Sequence, residues 1–174
     1  MRTFVLALTG ADRPGIVSAM TGVLAAHGVN LEDAEMAILR GHFAVMLVLA
    51  APDDADADAL RAELERAGTA IPLETVSLTE VPALAAASPE PTHAITVYGA
   101  DHPGIVHGVT GALAERGVNV VGLSTRVAGD LYVMLLEVTL PQGLDAGAVG
   151  DALAAVAAEQ GVDVSVRAVD ADVL

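Results

Sequence analysis

The chain contains no cysteine and no lysine. Without cysteine, neither a disulfide framework nor a thiolate metal site can form. Without lysine, only eight arginines face 23 acidic residues, a net charge of −15 at pH 7. A protein that grips nucleic acid needs a basic patch against the phosphates. Direct nucleic-acid binding is therefore not expected, and an anionic membrane surface is disfavoured for the same reason. Aromatic residues make up 2% of the chain and tryptophan is absent. The core must then be packed from Val, Leu, Ile, Ala and Met, which are plentiful in a chain that is 53% hydrophobic.

A targeting segment is not expected. The apolar part of "MRTFVLAL" is too short for a signal peptide, and Asp12 interrupts it. The charge-free run from Pro14 to Leu31 has the length of a membrane span. It also holds Pro14, Gly15, Gly22, His27, Gly28 and Asn30, which suit an amphipathic helix followed by a turn. A soluble, cytoplasmic protein is expected.

What is there is a sentence written twice. "GADRPGIV" at Gly10–Val17 returns as "GADHPGIV" at Gly99–Val106, 89 residues later. The same offset pairs Thr21-Gly22 with Thr110-Gly111, and Gly28-Val29-Asn30 with Gly117-Val118-Asn119. It needs no gap as far as Phe43 opposite Tyr132. Repeats shorter than about 50 residues indicate solenoids; a single longer duplication indicates two copies of one small domain. The expected division is residues 1–80, an Ala/Pro-rich linker over 81–92 that carries Pro82, Pro89 and Pro91, and residues 93–174.

Each copy has the same pattern. "RTFVLAL" and "HAITVYG" are β-rich runs. Pro14 and Pro103 stand where a helix would begin. Ile16, Val17, Met20, Val23 and Leu24 recur at helical spacing, and Gly28 and Gly117 follow as stops. "NLEDAEMAIL" and "NVVGLSTRVA" are extended, "RGH" and "AGD" are tight turns, and "FAVMLVLA" and "LYVMLLEVTL" are strands. A second helix covers roughly Asp56–Ala67, with a counterpart from about Asp145 to Glu159. A last strand lies near Ile71–Leu78 and near Val162–Val169. The order predicts an α+β fold: two tandem ferredoxin-like βαββαβ domains, each a four-stranded antiparallel sheet with two helices.

A first strand, then "GxDRPGI", then a helix ending in "HGVN", resembles the ACT domain. The resemblance covers about Arg2–Leu78 and Ala94–Val169. Two copies with little else are most similar to the glycine cleavage system transcriptional repressor group. Related copies precede catalytic domains in formyltetrahydrofolate deformylases and phosphoserine phosphatases. The resemblance implies a regulatory module that binds a small amino acid, possesses no cofactor, and controls a partner protein such as a transcription factor.

The repeated sentence has a physical reading of its own. First-turn N–H groups of a helix lack intrahelical partners, and the helix dipole places partial positive charge there. A carboxylate is stabilised at such a place without lysine. Gly15 and Gly104 allow close approach to the backbone. Asp12 and Asp101 could accept from an ammonium group, and Asn30 and Asn119 offer both donor and acceptor. The candidate ligand-binding set is Asp12, Arg13, Pro14, Gly15, Ile16, Val17 and Asn30, with Asp101, His102, Pro103, Gly104, Ile105, Val106 and Asn119. By the resemblance, each loop faces the asparagine of a paired domain. The structural alternative is that both aspartates merely cap their helices. His102, where the family commonly has a basic residue, marks a difference between the copies.

Other patterns are weaker. The acidic run Asp53–Asp58 imitates a calcium loop, but Ala59 replaces the turn glycine, and a solvated helix start is expected. His27, His42, His93, His102 and His107 show no repeated metal-ligand spacing. No nucleophile elbow, P-loop or dinucleotide fingerprint occurs. Ser124, Thr125 and Arg126 are read as strand-surface residues. No catalytic or metal residues are assigned. Three readings follow: a non-catalytic amino-acid sensor, an interaction module without a ligand, and a small enzyme, which lacks a nucleophile–base set. Strand patterning adds one expectation. "FAVMLVLA" is apolar on both faces, so the sheet face away from the helices should meet protein in a homodimer.

Overall fold

The protein is described by a computed structural model covering residues 1–82 and 90–169. It divides into two compact units, residues 1–85 and 86–174. The first contains β1 (Arg2–Ala11), α1 (Ile16–Ala26), β2 (Asn30–Leu39), β3 (His42–Ala51), α2 (Ala57–Ala70) and β4 (Leu73–Val81). The second contains β5 (His93–Ala100), α3 (Ile105–Ala114), β6 (Asn119–Ala128), β7 (Leu131–Thr139), α4 (Ala146–Gln160) and β8 (Val162–Ala168). Each sheet is four-stranded and antiparallel, in the orders β2-β3-β1-β4 and β6-β7-β5-β8. This is the ferredoxin-like order expected from the repeat.

Alternation and helical spacing build each core. In β1, every second residue, Phe4, Leu6 and Leu8, is buried. They meet Ile16, Met20 and Leu24 of α1 and Leu60 and Leu64 of α2 in one cluster. The second unit repeats this with Ile95 and Val97, Ile105, Val109 and Leu113, and Val149 and Leu153. Burying each such side chain contributes about 1.5–3 kcal/mol.

The acidic run has structural duties. Asp53 takes a hydrogen bond from the Met1 ammonium group, and Asp58 pairs with Arg61 at 2.8 Å. Asp56 caps α2, accepting from the amides of Asp58 and Ala59 at 3.1 and 3.0 Å.

The structure differs from expectation in detail: α2 extends to Ala70 and β4 runs from Leu73 to Val81, each ending three residues later than expected. β1 runs on through Gly10 and Ala11 because β3 pairs with it to His42. α1 and α3 open at Ile16 and Ile105, two residues after Pro14 and Pro103, which sit in the preceding turn. Val17 was expected on the inner face but is 46% exposed, since the buried stripe is Ile16, Met20 and Leu24 alone.

The helices cover one face of each sheet. On the other face of the first sheet lie Ala44 and Met46, the latter 56% exposed. Tyr98 and Leu135 occupy the corresponding face of the second and are also exposed. Most of the expected linker, residues 83–89, lies outside the described residues. Its last residue, Thr92, donates its amide to the carbonyl of Val138 at 2.9 Å, and its own carbonyl accepts from the Val169 amide at 3.0 Å. Among the described residues, no helix is long and apolar enough to cross a membrane.

Candidate functional site

The repeated sentence forms the β1–α1 and β5–α3 loops, and the fold accounts for its residues one at a time. Gly10 and Gly99 are required by a neighbouring strand. A Cβ on Gly10 would lie 3.1 Å from the Leu73 side chain and 3.2 Å from its Cα. On Gly99 it would lie 2.8 Å from the Val162 side chain and 3.1 Å from its Cα. Gly15 and Gly104 are required by the backbone. They are the N-cap residues of α1 and α3, with φ of 95° and 105°, a region that residues with a Cβ rarely adopt. Their carbonyls accept the first helical bonds, from the amides of Ala19 and Gly108, both at 2.9 Å.

No side chain caps either helix. Asp12 and Asp101 therefore do not cap, and that alternative is set aside: the cap position falls three residues later, on a glycine. The first-turn amides of Ile16, Val17 and Ser18, and of Ile105, Val106 and His107, are left as donors at the positive end of a helix dipole. Ile16 and Ile105 are buried, 2% and 1% exposed as whole residues, whereas the next residues of each helix, Val17 and Val106, are exposed.

Asp12 and Asp101 are what the fold leaves unexplained. Both are exposed. The Asp12 backbone is fixed, since its amide donates to the Gly41 carbonyl at 2.9 Å. A carboxylate thus stands four residues before the first uncapped amide in each unit, which is the polarity that an amino acid's two charged ends require.

Asn30 and Asn119 are not brought to these loops within their own unit. Asn30 pairs with Ala50, and Ala50 also pairs with Thr3 at the start of β1; Ala11, at its end, pairs with His42. Eight residues of β3 separate the two levels, about 26 Å at about 3.3 Å per residue. Both asparagines precede the same irregularity: the register shifts between Leu31 and Asp33 and between Val120 and Gly122. This duplicated bulge was not foreseen, because neither Glu32 nor Val121 carries a bulge signal.

The two loops differ in their surroundings. Arg13 is exposed, whereas His102 is half-buried. The Nε2 atom of His102 lies 2.6 Å from the Gln160 carbonyl, and its Nδ1 lies 3.1 Å from the Pro103 carbonyl. Those two carbonyl contacts hold the His102 pKa above its ordinary value, assisted by Asp101 and opposed by partial burial. The hairpin tips also differ. Arg40 and Gly41, with φ of 51° and 83°, stand beside the first loop, and Gly129 and Asp130 occupy the matching turn. Arg40 was read only as a turn residue; its opposition to Gly129 in the repeat was the available signal.

Residues 2–77 and residues 93–148 each match the sequence profile of the ACT domain. The chain belongs to the ACT domain family. Both ACT units lie within regions of similarity to known proteins. Phosphoserine phosphatase SerB2 of Mycobacterium tuberculosis is 36% identical over 171 residues, which is 94% of this chain and 40% of that protein. The chain thus spans well under half of that relative's length. A UPF0237 protein of Methanopyrus kandleri is 42% identical over 77 residues, 44% of this chain and 86% of its own. Among solved structures, an unknown protein from Galdieria sulphuraria matches with a TM-score of 0.79 and 31% identity, covering 97% of this chain and 99% of the other. A proposed glycine cleavage system transcriptional repressor matches with a TM-score of 0.69 and 16% identity, covering 97% and 98%. At that identity the second likeness shows the tandem ACT fold alone.

Residues outside the ACT loops have other roles. His27 Nε2 lies 2.7 Å from Glu63 Oε2, joining the end of α1 to α2. Ser124, Thr125 and Arg126 lie on β6, where the Arg126 guanidinium donates to the Thr125 carbonyl at 3.0 Å. Among the described residues, no group of three His, Cys, Asp or Glu side chains is placed to hold a metal ion.

Proposed function

We propose that this chain is a non-catalytic ACT regulatory protein that binds a small amino acid and passes its occupancy to a partner protein. The ligand's carboxylate meets the uncapped first-turn amides of α1 and α3, reached through the exposed Val17 and Ser18 and the exposed Val106 and His107. Its ammonium group meets Asp12 or Asp101. The observation that supports this most is the exposed aspartate that caps nothing, present in both units. Asn30 and Asn119 belong to the proposal as contributions from a paired ACT domain, since each lies at the far end of its own sheet.

Glycine and serine come first as ligands. Both are small, and the name of the phosphatase relative carries phosphoserine, a serine derivative. The partner is a protein in amino-acid metabolism or its transcription; a net charge of −15 directs the chain to a DNA-binding protein rather than to DNA. Calorimetric titration with the common amino acids tests the reading. Saturable heat with glycine or serine is expected. Silence across the whole panel favours an ACT interaction module without a ligand.

The exposed apolar sheet faces support a homodimer as part of this proposal. Sedimentation at micromolar concentration should give twice the chain mass of 17.5 kDa. A monomer there contradicts it.

A further inference from the structure

We propose that His102 is a proton-operated strap that ties the β5–α3 loop to the C-terminal end of α4, so that the second unit's loop responds to pH while the first does not. Both ring nitrogens of His102 face carbonyl oxygens, those of Gln160 and Pro103. A neutral imidazole has one donor and one acceptor. It can satisfy only one of these carbonyls and turns a lone pair toward the other. The imidazolium donates to both. Gln160 is the last residue of α4, so its carbonyl belongs to the negative end of a helix dipole, where a cation is favoured. Geometry and charge thus select the same protonation state.

Asp101, in the same loop, favours the charged form. His107 on α3 and Glu159 on α4 line a groove of about 360 Å³ with Gly104 and Gln160. The raised pKa of His102 agrees with this balance. The sign follows: the strap is fully present below the ordinary histidine value of about 6.5 and is lost as pH rises through the higher folded value. In the first unit the matching residue is Arg13, which stays charged throughout.

The strap fixes the backbone that leads directly into the amides of Ile105 and Val106. As a regulator of ligand binding it rests on the amino-acid reading above; as a strap it does not. The test is NMR of the full chain from about pH 5 to about pH 9, a range that brackets the ordinary imidazole value. The His102 ring should titrate above that value, and the Ile105 and Gly161 amides should share its midpoint. His102→Gln should abolish that midpoint, whereas His107→Gln should leave it at Gly161. The Ile16 and Val17 amides should show no such step. A His102 ring that titrates at or below the ordinary value, or loop amides that ignore it, overturns the strap. Glycine and L-serine titrations at both ends of the range form the second arm. Affinity at the second loop should fall at least about fivefold at the alkaline end. Failure of both probes to bind at either pH overturns the amino-acid reading, while the loop midpoint still decides the strap.

Discussion

Replacing Asp12 and Asp101 together with alanine should weaken glycine or serine binding by about tenfold to hundredfold at each site, the value of one charge-assisted hydrogen bond. Each single variant should affect one site and spare the other. The expectation follows from what the aspartates do not do. Neither caps a helix, and both are exposed, so their removal leaves no buried group unpaired and should leave the fold intact. Thermal unfolding of the variants should therefore match the parent closely. Calorimetry on the single and double variants checks the binding. Unchanged affinity in all three would move the ammonium contact elsewhere.

Leu153→Ala should destabilise the second unit by about 2–5 kcal/mol, the range for a leucine truncated in a core that cannot collapse around the gap. Leu153 is fully buried on α4 and belongs to the cluster with Ile105 and Val109. The first unit has a cluster of its own, around Leu6 and Leu64. Denaturant titration followed by amide signals should show residues of β5–β8 unfolding earlier and those of β1–β4 unmoved. Leu153→Met, which conserves volume, should cost less than about 1.5 kcal/mol. Equal loss in the two variants would contradict the packing described here.

The fold was legible because the sequence states it twice. Alternation at Phe4, Leu6 and Leu8 and four-residue spacing at Ile16, Met20 and Leu24 point to one core, and the copy at Ile95, Val97, Ile105, Val109 and Leu113 repeats the pattern. The loops were legible as loops. Their internal division of labour was not. Proline at the start of a helix is a real preference, yet Pro14 lies one residue before the cap because Gly15 takes the left-handed conformation. The close approach of Leu73 to Gly10 and of Val162 to Gly99 depends on strands more than 60 residues away in the chain, which no local pattern encodes. The Gln160 carbonyl that meets His102 is likewise a backbone group from a distant helix end. A sequence records side chains; which backbone groups come to face them is decided by the tertiary fold.

The most direct test of the amino-acid reading is an amide NMR titration of the full chain with glycine and with L-serine. The account predicts saturable shifts at Ile16, Val17 and Ser18 and at Ile105, Val106 and His107, with little change along the exposed sheet faces at Met46 and Leu135. Saturable binding that leaves both helix starts unperturbed would contradict it.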